Sequence, residues 1–116
     1  VIHDPNMRKL LATTLVVLLG GCLPNEKPPP IAENMEVSIA NEEWPPRLTQ
    51  RFPPGTPETE LVTTLSSQGF VIDHSKRTAK AEWAKGVCNN ELDVAWQTDD
   101  AGNISSVGGR YFPVCP

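Results

Sequence analysis

The feature that most restricts this chain is a pair of cysteines, Cys88 and Cys115, set at the outer ends of two alternating segments. Glu91-Leu92-Asp93-Val94-Ala95-Trp96-Gln97 alternates apolar with polar residues, Thr98-Asp99-Asp100-Ala101-Gly102-Asn103 has turn chemistry, and Ile104 to Phe112 returns. The pattern predicts a β-hairpin. Facing Cys88 with Cys115 sets its register, so that Leu92 stands opposite Tyr111, Val94 opposite Gly109 and Trp96 opposite Val107. Those residues and both cysteines then share one face, while Glu91, Asp93, Gln97 and Arg110 share the other. Ile104 and Phe112 fall on the polar face, which calls for a β-bulge or a second covered face.

At 116 residues and 12.7 kDa the chain has room for one small domain. Met7-Arg8-Lys9 followed by the apolar run Leu10 to Leu19 is a short basic segment and then a stretch below the about 20 residues of a membrane-crossing helix. It reads as a signal peptide over residues 1–21, with Val1 to Asn6 lying ahead of the expected Met7 start. Leu19-Gly20-Gly21-Cys22 resembles the lipobox of bacterial lipoproteins, in which the cysteine is acylated, palmitate included, and becomes the new N-terminus. Several acyl chains make a lasting anchor, since each buried CH2 contributes about 0.8 kcal/mol. Leu23 follows Cys22, where enterobacterial lipoproteins retained at the inner membrane carry aspartate. The resemblance therefore implies the outer membrane, facing the periplasm.

Removing residues 1–21 takes away Asp4, Arg8 and Lys9, so that 10 basic and 14 acidic residues become 8 and 13. So acidic a chain argues against a nucleic-acid partner. With Cys22 taken by lipid, Cys88 and Cys115 are left to pair in an oxidising compartment. Closing that loop stabilises by roughly 3–4 kcal/mol in the chain-entropy model, a large contribution for a core near the lower size limit of independent folding. A redox-active pair more often has Cys-x-x-Cys spacing, so the disulfide reads as structural.

Residues 22–43 read as the lipidated cysteine and a tether. Leu23 to Ala32 is proline-rich and favours stiff polyproline geometry, Met35 to Ala40 alternates like a short edge strand, and Asn41-Glu42-Glu43 looks solvated. The domain is expected over 44–116. A brief helix is predicted from Pro45 to Phe52, because proline is tolerated in a first turn and Leu48 and Phe52 are four apart. Trp44, Arg47 and Phe52 are candidate partner contacts at the domain rim, with Trp44 and Phe52 also expected to pack on the domain. Thr56 as cap, Pro57 and two following acids start a second helix that buries Leu61, Val62 and Leu65 and ends at Gly69. Phe70 to Asp73 leads into a strand resuming over Thr78 to Trp83, with His74 to Arg77 as an exposed turn. Gly108-Gly109 is expected to make room for Trp96 or a bend. The fold class is α+β: two helices on a three-stranded antiparallel sheet, with one disulfide.

Sites of chemistry are sparse. His74 is the only histidine after residue 21, and Asp73 and Ser75 beside it point apart on a strand, so no triad forms. Asp99-Asp100-Ala101-Gly102-Asn103 lacks the spacing and final glutamate of an EF-hand and reads as a turn. The chain has no phosphate-cradling glycine loop, zinc-ligand spacing or dinucleotide fingerprint. No enzyme activity, metal or cofactor is expected.

The order of lipobox, proline tether, short helix, capped helix and hairpin sheet resembles the small lipoproteins of the SmpA/OmlA (BamE) type, accessory subunits of the outer-membrane β-barrel assembly machinery. The resemblance covers about Trp44 to Phe112. It rests on Gly55-Thr56, Leu61 and Leu65, then Leu92 to Trp96 and Asp100-Ala101-Gly102-Asn103-Ile104, while the disulfide and the Trp44 region depart from it. It implies a fold shared with β-lactamase inhibitor protein modules. The expected role is a non-catalytic envelope lipoprotein that binds a partner protein as an assembly or stability factor. A periplasmic inhibitor of a hydrolase is the alternative.

Overall fold

The computed structural model describes residues 27–116; the expected signal peptide and Cys22 lie outside them. Two short 3-10 turns, Pro30–Ala32 and Val37–Ile39, lead into helix α1 (Ala40–Arg51) and helix α2 (Glu58–Ser67). The sheet follows as β1 (Val71–Asp73), β2 (Thr78–Lys85), β3 (Cys88–Thr98) and β4 (Ile104–Val114), in spatial order β1-β2-β3-β4 and antiparallel throughout. Both helices pack on one face.

The sheet has four strands where three were expected. The segment from Phe70 to Trp83 is not one interrupted strand, because Arg77 turns the chain with φ of 51° and β2 folds back on β1. A second hairpin, Lys85-Gly86-Val87-Cys88, then joins β2 to β3, with Gly86 at φ of 63° in a two-residue loop.

The β3–β4 register is the one the cysteines require: Leu92 faces Tyr111, Val94 faces Gly109 and Trp96 faces Val107. Cys88 and Cys115 form a disulfide beyond its end, with Cα atoms 4.3 Å apart. The register slips between Gln97, opposite Ser106, and Thr98, opposite Ile104. This bulge turns Ile104 onto the covered face, where it is buried. Phe112 keeps its place on the other face and stays exposed.

Helix α1 starts at Ala40, well ahead of its prolines, and the expected edge strand over Met35 to Ala40 is instead a 3-10 turn feeding it. Pro45 and Pro46 lie inside the helix, against their local preference. Packing overrides that preference, because Ala40, Trp44, Leu48 and Phe52 recur every four residues as one fully buried stripe. Trp44 stacks parallel to Phe70 with ring centroids 6.5 Å apart, and its indole Nε1 donates to the Asp93 carbonyl at 3.0 Å. Asn41 is exposed, as expected, yet its amide donates to the Tyr111 carbonyl and accepts from the Tyr111 N–H. This pairing occupies the outer edge of β4, where Pro113 also lies.

Gly109 is where α1 meets the sheet. A Cβ there would strike the Asp93 carbonyl, lie 2.5 Å from Trp44 Nε1 and 2.8 Å from Leu48, so this glycine makes room for Trp44 rather than for Trp96. Gly108 has open space around it.

Helix α2 has Pro57 at its N-cap; the Thr56 hydroxyl bonds back to the Pro53 carbonyl instead of capping. Its C-terminus closes as a Schellman motif, with Gly69 N–H to Ser66 and Phe70 N–H to Leu65, and Gly69 at φ of 92°. Glu58 in its first turn accepts from Trp96 Nε1 and from Arg77 Nε, both at 2.7 Å. The Trp96 hydrogen bond foremost, then Arg77, holds the Glu58 carboxyl below its ordinary value of 4.5.

Two outcomes follow for stability. Gly109→Ala should destabilise by about 1–3 kcal/mol through overpacking, whereas Gly108→Ala should be near neutral, as read by denaturant unfolding. Because the folded Glu58 carboxyl has the lower pKa, its contribution is present above the ordinary value and is lost as pH falls through the folded one. Unfolding midpoints measured from pH 6 down to pH 3 should therefore fall less steeply in Glu58→Gln than in the parent.

Candidate binding face

With both helices on one side, the other face of the sheet is left uncovered by the described residues. Five rows of paired residues cross it, and the middle three shape it. Val71, Lys80, Asp93 and Arg110 make the first; Asp73, Thr78, Ala95 and Gly108 the second; Glu82, Glu91 and Phe112 the third. The second row ends in an alanine and a glycine, so the face is low there, on the side of the charged row nearer the β3–β4 turn. The charged row and the rings and branches at Phe112 and Val71 rise around it. The result is a broad hollow of about 790 Å3, bordered also by Lys76.

The electrostatics centre on Asp93. Its neighbours across the strands are the cations Lys80 and Arg110, but Lys80 Nζ lies 3.6 Å from Glu91 instead. One Asp93 carboxylate oxygen, Oδ1, is buried with no hydrogen-bond partner. Burial, then the charge and hydrogen bonding of Glu91 two residues away on the same face, push the Asp93 carboxyl above its ordinary value of 3.8. A cation, a poorly solvated carboxyl and a second cation therefore stand in line beside an apolar floor. Such a row suits recognition of a surface with alternating charge.

The residues expected at the rim lie elsewhere. Trp44 and Phe52 are wholly enclosed by α1 and the sheet and present no surface to a partner. Arg47 is half-buried and fastens the N-terminal segment, donating to the carbonyls of Ile31 at 3.2 Å and Glu33 at 2.8 Å and lying 3.6 Å from Glu43. From Pro28 onward, residues expected in the tether pack on the domain: Ala32 is buried and Ile31 N–H bonds to the Gln68 side chain at 2.8 Å. The uncovered face was partly visible in the sequence, as the polar side of the hairpin. Its β2 half was not, because the pattern from Phe70 to Trp83 does not show the chain reversing at Arg77 to set β2 between β1 and β3.

Two other sequence features are absorbed by turns. Asp99 Oδ1 accepts from the N–H groups of Ala101 and Asn103 within its own turn. Asp73 accepts from the Ser75 hydroxyl and the Lys76 N–H, which lowers its pKa. Among the described residues no cluster of three or more His, Cys, Asp or Glu is placed to hold a metal ion, and no helix is long and apolar enough to cross a membrane.

The sequence matches no protein-family model and no curated protein, and the structure matches no solved one.

Since folding raises the Asp93 pKa, its ionised form opposes folding. That penalty is absent below the ordinary value of 3.8 and grows as pH rises through the folded one. Asp93→Asn should therefore be more stable than the parent at pH 7, with the gain disappearing near pH 3, as measured by thermal unfolding at both values.

Proposed function

We propose that this protein is a lipid-anchored, non-catalytic binding module of the bacterial envelope, holding a partner protein on the uncovered face of its sheet. The observation that carries the reading is that face: a four-stranded surface with a small-residue floor and a charged row, left bare by helices that both lie on the opposite side. Anchoring rests on the basic and apolar run from Met7 to Leu19 and on Gly20-Gly21-Cys22, and outer-membrane placement on Leu23. The helix–helix–sheet order supports a BamE-like role as an assembly or stability factor, and the partner is then a component of outer-membrane protein assembly.

Crosslinking and affinity capture from native envelopes test this reading. Ala95 is exposed at the centre of the floor, so Ala95→Glu should abolish recovery of the partner while leaving the thermal midpoint close to that of the parent. Cys22→Ala should reduce capture by releasing the domain from the membrane. Recovery of barrel-assembly components with the parent alone supports the assembly role, and recovery of a single hydrolase supports the inhibitor alternative. Equal capture by Ala95→Glu and the parent overturns the assignment of the face.

A further inference from the structure

Among the described residues, six large hydrophobic side chains are exposed, and five of them gather at one end of the domain: Val37, Ile39, Val87, Phe112 and Val114. The sixth, Val71, lies on the edge strand β1. The shared end is defined by the pairings. Lys85 faces Cys88, Asn89 faces Val114, Cys88 is bridged to Cys115, and Val37 shares a hollow of about 320 Å3 with Lys85 and Asn90. Val87 occupies the apex of the Gly86-Val87 loop at 79% exposure, a position where turns ordinarily place polar residues. Val114 is 60% exposed on the uncovered side and Val37 55% exposed on the helix side, so the valine tip is flanked on both faces of the sheet.

The chain also enters the domain at this end, since Pro28 lines the same hollow as Val37 and Lys85. Only Leu23 to Lys27 separate Cys22 from Pro28, and at about 3.3–3.6 Å per extended residue that segment reaches roughly 20 Å at most. An acylated Cys22 therefore holds this end within roughly 20 Å of the bilayer.

We infer that the disulfide end of the domain is a membrane-contact end, with Val87 entering the lipid headgroup region between Val37 and Val114. The inference rests on the Cys22 anchor proposed above and adds the orientation of the domain. Lys85, at the base of the turn, reaches the phosphates while its stem lies along the apolar tip. The disulfide holds the C-terminal strand end in place, so the apolar side chains form one rigid contact. The strands then run away from the bilayer, and the uncovered sheet face stands across it, open to a partner.

The test uses the full protein purified from its native envelope and reconstituted into phosphatidylcholine vesicles, with and without brominated acyl chains as quencher. Val87→Trp and, separately, Val114→Trp report on the proposed contact; Ala101→Trp reports on the β3–β4 turn at the opposite end. After subtraction of the signal of the parent, Val87→Trp and Val114→Trp should be quenched several-fold more strongly than Ala101→Trp. Equal quenching at both ends, or none at Val87, overturns the inference. Intact mass of the same preparation separates the two readings. Acyl chains on Cys22 without quenching at Val87 sink the contact end and leave the anchor. Quenching at Val87 without acyl chains sinks the anchor and leaves the contact end.

Discussion

The hydrogen bond from the Trp44 indole to the Asp93 carbonyl is the junction on which the rest of this domain depends. An indole N–H buried without a partner would cost on the order of 1–3 kcal/mol, so Trp44 can be enclosed only where a carbonyl is reachable. That carbonyl belongs to a central strand and is approachable because Gly109, on the neighbouring strand, has no side chain in the way. With Trp44 seated there, Leu48 and Phe52 follow along the same stripe, and a helix carrying two internal prolines is held in shape by its contacts. Arg47, one turn along, then binds the carbonyls of Ile31 and Glu33 and draws the proline-rich entry segment onto the domain.

Asp93 also links the two sides of the sheet. Its carbonyl belongs to the packed side, while its carboxyl sits on the bare side between Lys80 and Arg110. One of its carboxylate oxygens is left without a partner although two positive charges stand on adjacent strands, and Lys80 turns to Glu91 instead. Glu58 shows the opposite arrangement, since both its donors converge on one oxygen and stabilise its charge. The two carboxyls therefore respond to acid in opposite senses, one weakening the fold and one relieving it.

The hairpin from β3 to β4 was legible to the residue, because alternation and the two cysteines constrain the same pairing. The misfit of Ile104 pointed to a bulge, and the structure has it next to Thr98. The capped helix was legible through Pro57 and Gly69, although the cap itself passes to Pro57. Helix α1 was only half visible, since local rules place prolines in a first turn and the buried stripe beginning at Ala40 owes its stability to contacts remote in sequence. The strand over Thr78 to Trp83 was legible, but its reversal against β1 was hidden: Arg77 adopts a left-handed conformation that nothing in its residue type announces, and Gly86 alone marks the next reversal. With that reversal went half of the candidate face.

The sheet is a meander in which every strand pairs with its neighbour in sequence, so hairpin can add to hairpin as the chain is made. Helix α1 is different, because its seat is β4, the last strand to be synthesised. Phe70 and the Asp93 carbonyl can meet Trp44 before β4 is made, but the seat at Gly109 and the Asn41 pairing with Tyr111 come only with β4, so the early-made apolar stripe closes fully only with nearly the whole domain. A nascent chain of this kind is thus most vulnerable to aggregation early and is protected only once its end is made. It also means that a truncation near the C-terminus would undo the N-terminal helix first.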